Sequence, residues 1–397
     1  MCRVAAVASH PIQYQAPWYR ELAKVLDLEV FFCHEQDAQG HADAGFGVPF
    51  EWDVPLLEGY RHRWLRNVSS TPGVSRFSGC DTPEIAGVLA TGGFDACIVN
   101  GWYLKSYVQA IRACRRAGIK VLVRGDSHLR TPRSTVKSAL KYLPYRWFLG
   151  RIDAHLYVGR ANREYLQSYG VADERLFFVP HFVDNEFFAR RAAAARENGS
   201  AVQFRRQLGA RESEVVFMFV GKFIEKKRPA DFVRACALAA STVTSSPVRG
   251  VMVGDGPLRA ETERLAASLG APVSFAGFRN QSQLPVCYAA ADALVLASDA
   301  RETWGLVVNE AMACGVPAIV TREAGCADDL IEEGSTGFTY TVGDVERLAH
   351  CMTRYASADR TVMRERARAR VAQYTVERAV QGTMIALQPR AEQALAG

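Results

Sequence analysis

The chain has 397 residues, 49% apolar and 23% charged, with a formal net charge of +6. That is the profile of an ordinary globular protein of two or three domains and excludes an intrinsically disordered chain. No apolar run approaches the roughly 20 residues that span a bilayer. The ten cysteines are scattered without a C-x-x-C pair or a His at zinc-ligand spacing, so reduced, mostly buried thiols in a cytoplasmic protein are expected. His10, Gln13, Gln15 and Pro17 interrupt the first twenty residues, and no signal peptide is expected.

Residues 3–8 (RVAAVA) read as a first buried strand of an α/β domain. They run into SHPIQYQAPWYREL, a polar loop feeding a helix. His10 is a candidate for substrate contact, and the alternative is a turn histidine bonded to backbone. Residues 28–33 form a second strand. From 34 to about 83 the sequence is glycine-rich, aromatic and poorly periodic, which predicts irregular loops around residues 50–54. Long loops in compact domains tend to be functional, and the expectation here is an acceptor-facing role. Residues 94–100 read as a strand, 105–117 as a helix stopped by Gly118, and 119–123 as a strand ending in RGDSH. Ligands bind at the carboxyl ends of strands in open parallel sheets, which places Asp126 and His128 near a cleft. The competing reading is an Arg124–Asp126 salt bridge with His128 leading into the next helix.

Residues 99–151 hold twelve Lys or Arg and a single acid, Asp126. The piece 134–151 interleaves its basic residues with Leu140, Tyr142, Leu143, Tyr145, Trp147 and Phe148. A basic, aromatic helix of this kind can lie on an anionic membrane surface; the plain reading is a solvated face with one packed side. Strands at 154–158 and 176–179 lead to PHFVDNEFF at 180–188. The Ala/Arg-rich piece 189–208 reads as linker and lead-in helix. No aromatic stacking motif or recognition-helix signature accompanies its arginines, so no nucleic-acid partner is expected. The pattern then restarts: a strand at 215–220 meets GKFIEKKRP at once, 250–253 enters GDGPL, and 273–279 (VSFAGFR) is a strand and loop. Two strand–helix halves, each with a polar strand-end cleft, imply two Rossmann-like domains facing each other. The divisions expected are 1–188, a connecting piece 189–208, 209–374, and a final helix in 375–397.

The whole is organised around SDARETWGLVVNEAMACGVPAIVT, residues 298–321. The buried strand 293–297 breaks into a turn holding Glu302, then Thr303-Trp304-Gly305, and a short helix from 306 to 314. Gly315 stops that helix and Pro317 prevents its return. Its N-terminus offers unpaired N–H groups and a positive dipole end to an anion, and Gly305 lets a ligand approach the backbone. Glu302 and Glu310 beside that cradle suit a ligand with both phosphates and hydroxyls. A nucleotide sugar fits.

Here the residues carry a resemblance. Glu302 and Glu310 match the E-x7-E pattern of the retaining glycosyltransferases of family 4, within S-x-x-E-x-x-G-L-x-x-x-E-A-M-A-C-G-x-P-x-I-x-T. The acidic spacing alone would mean little; the flanking pattern carries it. Trp304 departs from the family's usual Phe or Pro, and RGDSH looks like a branch found in bacterial surface-polysaccharide clusters. The resemblance implies an α/β fold of GT-B architecture, two Rossmann-like domains about a central cleft, with the last helix crossing back to the first. It implies a hexosyltransferase that moves a sugar, with retention, from a nucleoside-diphosphate sugar (UDP favoured) to a glycan or lipid-linked acceptor. Neither cofactor nor metal is expected, since no D-x-D-type pair is present and lysines supply the charge.

Lys222 and Lys227 stand at the family's G-R-x-x-x-x-K positions and would grip the diphosphate. Thr303, Gly305 and Leu306 would also meet the donor, and Gly277, Phe278 and Arg279 would hold the base through backbone groups. Glu302 is implied at the transferred sugar and Glu310 at the ribose, with Asp126 or His128 on the reacting side. His10 and Gln13 would lie on the acceptor or sugar side, although Pro11, Ile12 and Gln13 replace the paired glycines common there. Since many relatives act on lipid-linked acceptors, peripheral contact with the inner membrane face through 130–151 is the further expectation. A nucleotide-sugar epimerase or phosphorylase is the rival on the same cleft. A non-catalytic subunit is the other, and the intact Glu302, Glu310, Lys222 and Lys227 set argues against it.

Overall fold

Seven parallel strands form the first sheet of the computed structural model, which describes residues 1–41, 45–132, 134–242 and 247–388. They are β1 (Arg3–Ala8), β2 (Asp27–Phe32), β3 (Arg61–Trp64), β4 (Ala96–Val99), β5 (Lys120–Gly125), β6 (Ala154–Tyr157) and β7 (Leu176–Phe178), in the order 3-2-1-4-5-6-7. Six more form the second sheet: β8 (Val215–Val220), β9 (Val248–Val253), β10 (Val273–Gly277), β11 (Ala293–Leu296), β12 (Ala318–Thr321) and β13 (Gly337–Tyr340), in the order 10-9-8-11-12-13.

Each sheet has an apolar cluster on both faces, which is why most of its strands are dominated by Val, Ile, Leu, Ala and Phe. In both sheets the chain turns back beside the domain's first strand, leaving a crevice between β1 and β4 and another between β8 and β11. The two crevices face each other. This is the GT-B arrangement of two Rossmann-like halves expected above.

The stretch 34–83 holds one strand that the sequence did not reveal. β3 (RHRW) pairs only with β2 at the sheet edge and exposes its first three residues, so it lacks the apolar signature of the others. Helices Asn185–Glu197 and Ser200–Gln207 pack on helix Leu284–Ala290 in the second half, burying Phe188, Ala192, Ala195 and Phe204. The Asp184 carboxylate caps the first of them by accepting from the Phe187 N–H.

Helix Val376–Leu387 returns to the first half and lies on helix Ala16–Val25 and on β7. Residues 389–397, the end of the expected final segment, lie outside the described residues. Where the chain crosses outward and back, the Asn185 amide donates to the carbonyls of Val371 (3.1 Å) and Tyr374 (3.4 Å), so the two crossings touch. All ten cysteines are free thiols, nine of them buried. Among the described residues no helix is long and apolar enough to cross a membrane.

Candidate active site

The turn after β8 carries the cations. Gly221 ends the strand, and a short 3-10 turn, Glu225–Lys227, brings Lys227 back over the cleft. The turn after β9 presses against it: Gly254 has φ +135°, and a Cβ there would fall 1.9 Å from the Gly221 carbonyl oxygen. Only glycine fits. The Lys227 ammonium is hydrogen-bonded to the Glu302 carboxylate, and Lys226 lies 3.9 Å from its other oxygen. Burial opposes ionisation of Glu302, but the charges of Lys227 and Lys226 outweigh it and hold the carboxyl below its usual range. Burial and the neighbouring Lys227 and Lys226 push the Lys222 ammonium down to about 8, while its Nζ sits 4.1 Å above the Phe46 ring.

The helix after β11 spans Leu306–Ala313, and its N-cap is Gly305 at φ +108°, with no side-chain cap on the first N–H groups. A Cβ at Gly305 would meet the Leu296 side chain at 2.6 Å, so the left-handed turn and the tight packing both demand glycine. One turn on, Glu310 accepts a 2.6 Å hydrogen bond from the Tyr288 hydroxyl. Burial nevertheless raises its carboxyl to about 7.

From the first half, the end of β5 delivers Asp126, which accepts a 2.8 Å hydrogen bond from the Thr303 hydroxyl across the cleft. Desolvation works against its charge. His181 at 3.8 Å, Thr303 and Arg124 outweigh it, keeping Asp126 ionised well below the usual range. The Arg124 guanidinium approaches His181 Nδ1 at 3.3 Å. Guanidinium only donates, so Nδ1 accepts and the imidazole carries its proton on Nε2, toward Asp126. Burial keeps that ring neutral by lowering its pKa.

Asp126 and His128 part company here. Asp126 faces the cleft. His128 is fully buried behind it, with Nε2 3.0 Å from the Glu302 carbonyl oxygen, and ties β5 to the loop that carries Glu302. Arg124 pairs with the Pro180 carbonyl and His181, not with Asp126 in a salt bridge.

Two cavities meet at this point. One, of about 430 Å³, lies between the halves and is lined by Gln13, Lys222, Lys227, Phe278, Arg279, Glu302, Thr303, Gly305, Leu306 and Glu310. The other, of about 420 Å³, lies in the first half between His10, Trp102, Tyr103 and Arg124. Tyr14, Asp126 and His181 line both. Of the residues singled out in the sequence, Gly277 does not line either cavity; its carbonyl accepts the Gly254 N–H at 2.9 Å and so fixes the neighbouring turn. His10 opens on the first-half cavity, with Nδ1 3.0 Å from the Ser9 hydroxyl. Sequence reasoning did not name Tyr14, Phe46, Trp52 and His181 as site residues; Phe46 and Trp52 left a signal in the aromatic stretch 34–83, and His181 as a departure from the family pattern at 180–188.

Two family descriptions match most of the chain between them. "Glycosyl transferase 4-like domain" covers residues 12–181 and "Glycosyl transferases group 1" covers 201–373. The chain belongs to the GT4-type glycosyltransferases. This glycosyltransferase is 32% identical over 171 residues to N-acetyl-alpha-D-glucosaminyl L-malate synthase of Bacillus anthracis, covering 43% of this chain and 42% of that one. It is 29% identical over 209 residues to a GDP-mannose-dependent alpha-(1-6)-phosphatidylinositol dimannoside mannosyltransferase of Mycobacterium tuberculosis, covering 53% and 51%. These matches span about half the length of each relative, or less. Among solved structures, Anabaena HepE in complex with UDP superposes over 100% of both chains with a TM-score of 0.71 at 20% identity, a likeness of fold.

Proposed function

We propose that this glycosyltransferase moves a sugar from a nucleoside-diphosphate sugar, UDP-sugars favoured, to a hydroxyl of a glycan or lipid-linked acceptor, with retention at the anomeric carbon. The observation that carries the reading is the Lys227–Glu302 pair at the mouth of an uncapped helix, inside a cavity lined by both halves. In this reading the diphosphate lies against Lys222, Lys227 and the first N–H groups of helix Leu306–Ala313. It draws Lys227 from Glu302, leaving that carboxylate to meet the sugar, and Glu310 accepts from the ribose hydroxyls. The bond from the anomeric carbon to the phosphate oxygen breaks. The acceptor oxygen, arriving from the first-half cavity, bonds the same face, and its proton passes to the departing phosphate. Asp126, charged and at the junction of the two cavities, stabilises positive charge developing on the sugar. Lysines and helix N–H groups meet the leaving charge, so transfer should be unchanged by EDTA.

The test is a panel of UDP-, GDP- and ADP-sugars with glycan and polyprenyl-phosphate-sugar acceptors, reading net transfer and product anomer by NMR. Epimerised or phosphorolysed donor without transfer would overturn the reading. An inverted product would overturn the mechanism.

Donor affinity should be bell-shaped in pH. Below about 7 Glu310 becomes neutral in the empty site and is a poorer acceptor for ribose hydroxyls, so affinity falls as pH drops. Above about 8 Lys222 loses its proton, and binding must restore it against bulk solvent, so affinity falls as pH rises. Each limb approaches about tenfold per pH unit. Calorimetry with UDP from pH 5.5 to 9.5 reads both, and Lys222→Arg should flatten the alkaline limb only.

The acceptor side carries a second proposal, contact with an anionic membrane. Helix Thr135–Leu149 turns Tyr145, Phe148 and Leu149 into the core of the first half. Its opposite face sets out Val136, Leu140, Leu143 and Trp147 at i, i+4, i+7 and i+11, each between 60% and 74% exposed. Lys141 and Arg146 flank that stripe, and Arg151 stacks on Trp147 at 3.7 Å. An apolar ridge with basic flanks and no acid between 127 and 151 suits lipid headgroups over acyl chains. Arg130 does not belong to this face: it donates to the Arg322 carbonyl at 2.7 Å and pairs with Asp328 of the second half. Arg133 and the Lys137 side chain lie outside the described residues. Co-sedimentation with phosphatidylglycerol-containing vesicles at low salt should drop at least tenfold in Leu140→Ser/Leu143→Ser/Trp147→Ser. Equal partition of the two proteins would remove the proposal.

A further inference from the structure

The stretch expected to face the acceptor includes a segment that reaches the second half. Residues 45–53 leave the first half, cross the cleft and lie on the second. Gly45 runs beside Lys222, whose Cδ is 3.6 Å from where a Cβ would stand, and Gly47 rests on the Gly256 backbone. The Phe46 ring sits beneath the Lys222 ammonium and 5.9 Å from Phe278. Phe50 packs on Phe278 at 4.5 Å and on Trp52 at 4.9 Å. Asn280 donates 2.6 Å to the Glu51 carbonyl, and the Ser282 N–H donates 3.1 Å to the Asp53 carboxylate. These contacts fall on the turns after β8, β9 and β10, the three that border the proposed donor site.

We infer that residues 45–53 are a strap by which the first half completes the nucleobase site, with Phe46 and Trp52 as an aromatic wall opposite Phe278 and Arg279. The inference rests on the donor reading above. Its chemistry is that of a flat heteroaromatic ring. A nucleobase presents two π-faces and a polar edge, and it is held by stacked aromatic surface plus a few donors and acceptors at the rim. Phe46, Trp52 and Phe278 supply the surface, and Arg279 and Gln281 supply the rim, all lining the same cavity. The strap has a further effect on the neighbouring site. The Lys222 ammonium lies 4.1 Å over the Phe46 ring, so the same segment that holds the base also contacts the cation beside the diphosphate. Base recognition is thereby divided between two domains, and only their closed arrangement assembles it.

The experiment is calorimetry on the full chain with UDP, GDP, ADP and inorganic pyrophosphate, comparing wild type, Trp52→Ala and Trp52→Phe. Trp52→Ala should weaken the preferred nucleoside diphosphate about tenfold, leave pyrophosphate unchanged, and be restored by Trp52→Phe. Unchanged pyrophosphate binding also shows that the variant is folded. Equal nucleotide affinity in wild type and Trp52→Ala overturns the strap while leaving the donor site standing. So does a parallel loss of pyrophosphate binding, which would make the segment a support for the lysines. A wild-type protein that binds none of the nucleotides overturns the donor reading itself.

Discussion

Lys227→Ala should lower kcat by about 10²–10³ with a much smaller change in donor KM. Charge builds on the diphosphate as the sugar leaves, so a fixed cation is worth more in the transition state than in the bound ground state. Lys227 is placed for that role, since in the empty site it is hydrogen-bonded to a carboxylate that the sugar is proposed to claim. Removing it also strands the Glu302 carboxylate, 9% exposed, with Lys226 at 3.9 Å as the remaining counter-charge. A loss of thermal stability should accompany the kinetic one, and Lys227→Arg, which keeps the charge, separates the two. Steady-state kinetics of Lys222→Ala/Lys227→Ala checks the assignment: near-normal turnover would contradict it.

Glu310→Ala should do the reverse, raising donor KM by about 10–100-fold with kcat within a few-fold of wild type. A carboxylate accepting from two ribose hydroxyls contributes alike before and during bond breaking, so its loss is a loss of uniform binding. The substitution also leaves the Tyr288 hydroxyl without its acceptor in a buried site. Tyr288→Phe is therefore the control: it should raise the occupancy of the neutral carboxyl and shift the acid limb of donor affinity to higher pH. An unchanged KM in Glu310→Ala would place the ribose elsewhere.

Much of the architecture could be read from the chain because parallel strands buried on both faces leave a plain trace. Residues 4–8 and 215–220 are unbroken apolar runs, each ending in a polar turn, and helix Lys105–Ala117 with Gly118 at its end has the spacing and stop of its class. β3 left no such trace, because an edge strand with one neighbour can be built from Arg, His, Arg and Trp. At the site, Glu302, Glu310 and the two lysines were legible because each follows a buried strand or opens a helix in the same stretch of sequence. Asp126 could not be told from His128. Two residues apart on an extended segment, one turns to the cleft and the other behind it, and the pattern does not say which. The seat of residues 45–53 on the second half was not legible for a related reason: its partners, Phe278, Asn280 and Ser282, lie more than 220 residues away.

The contact of Asn185 with the backbone near Val371 and Tyr374 has a mechanical consequence. Apart from the excursion of residues 45–53, the polypeptide passes between the halves twice, and both passages meet at one place. An opening that keeps this contact turns about that spine, as the covers of a book do, and has to part the contacts of residues 45–53 with the second half. The edge farthest from the spine then travels most, and the cleft widens most there.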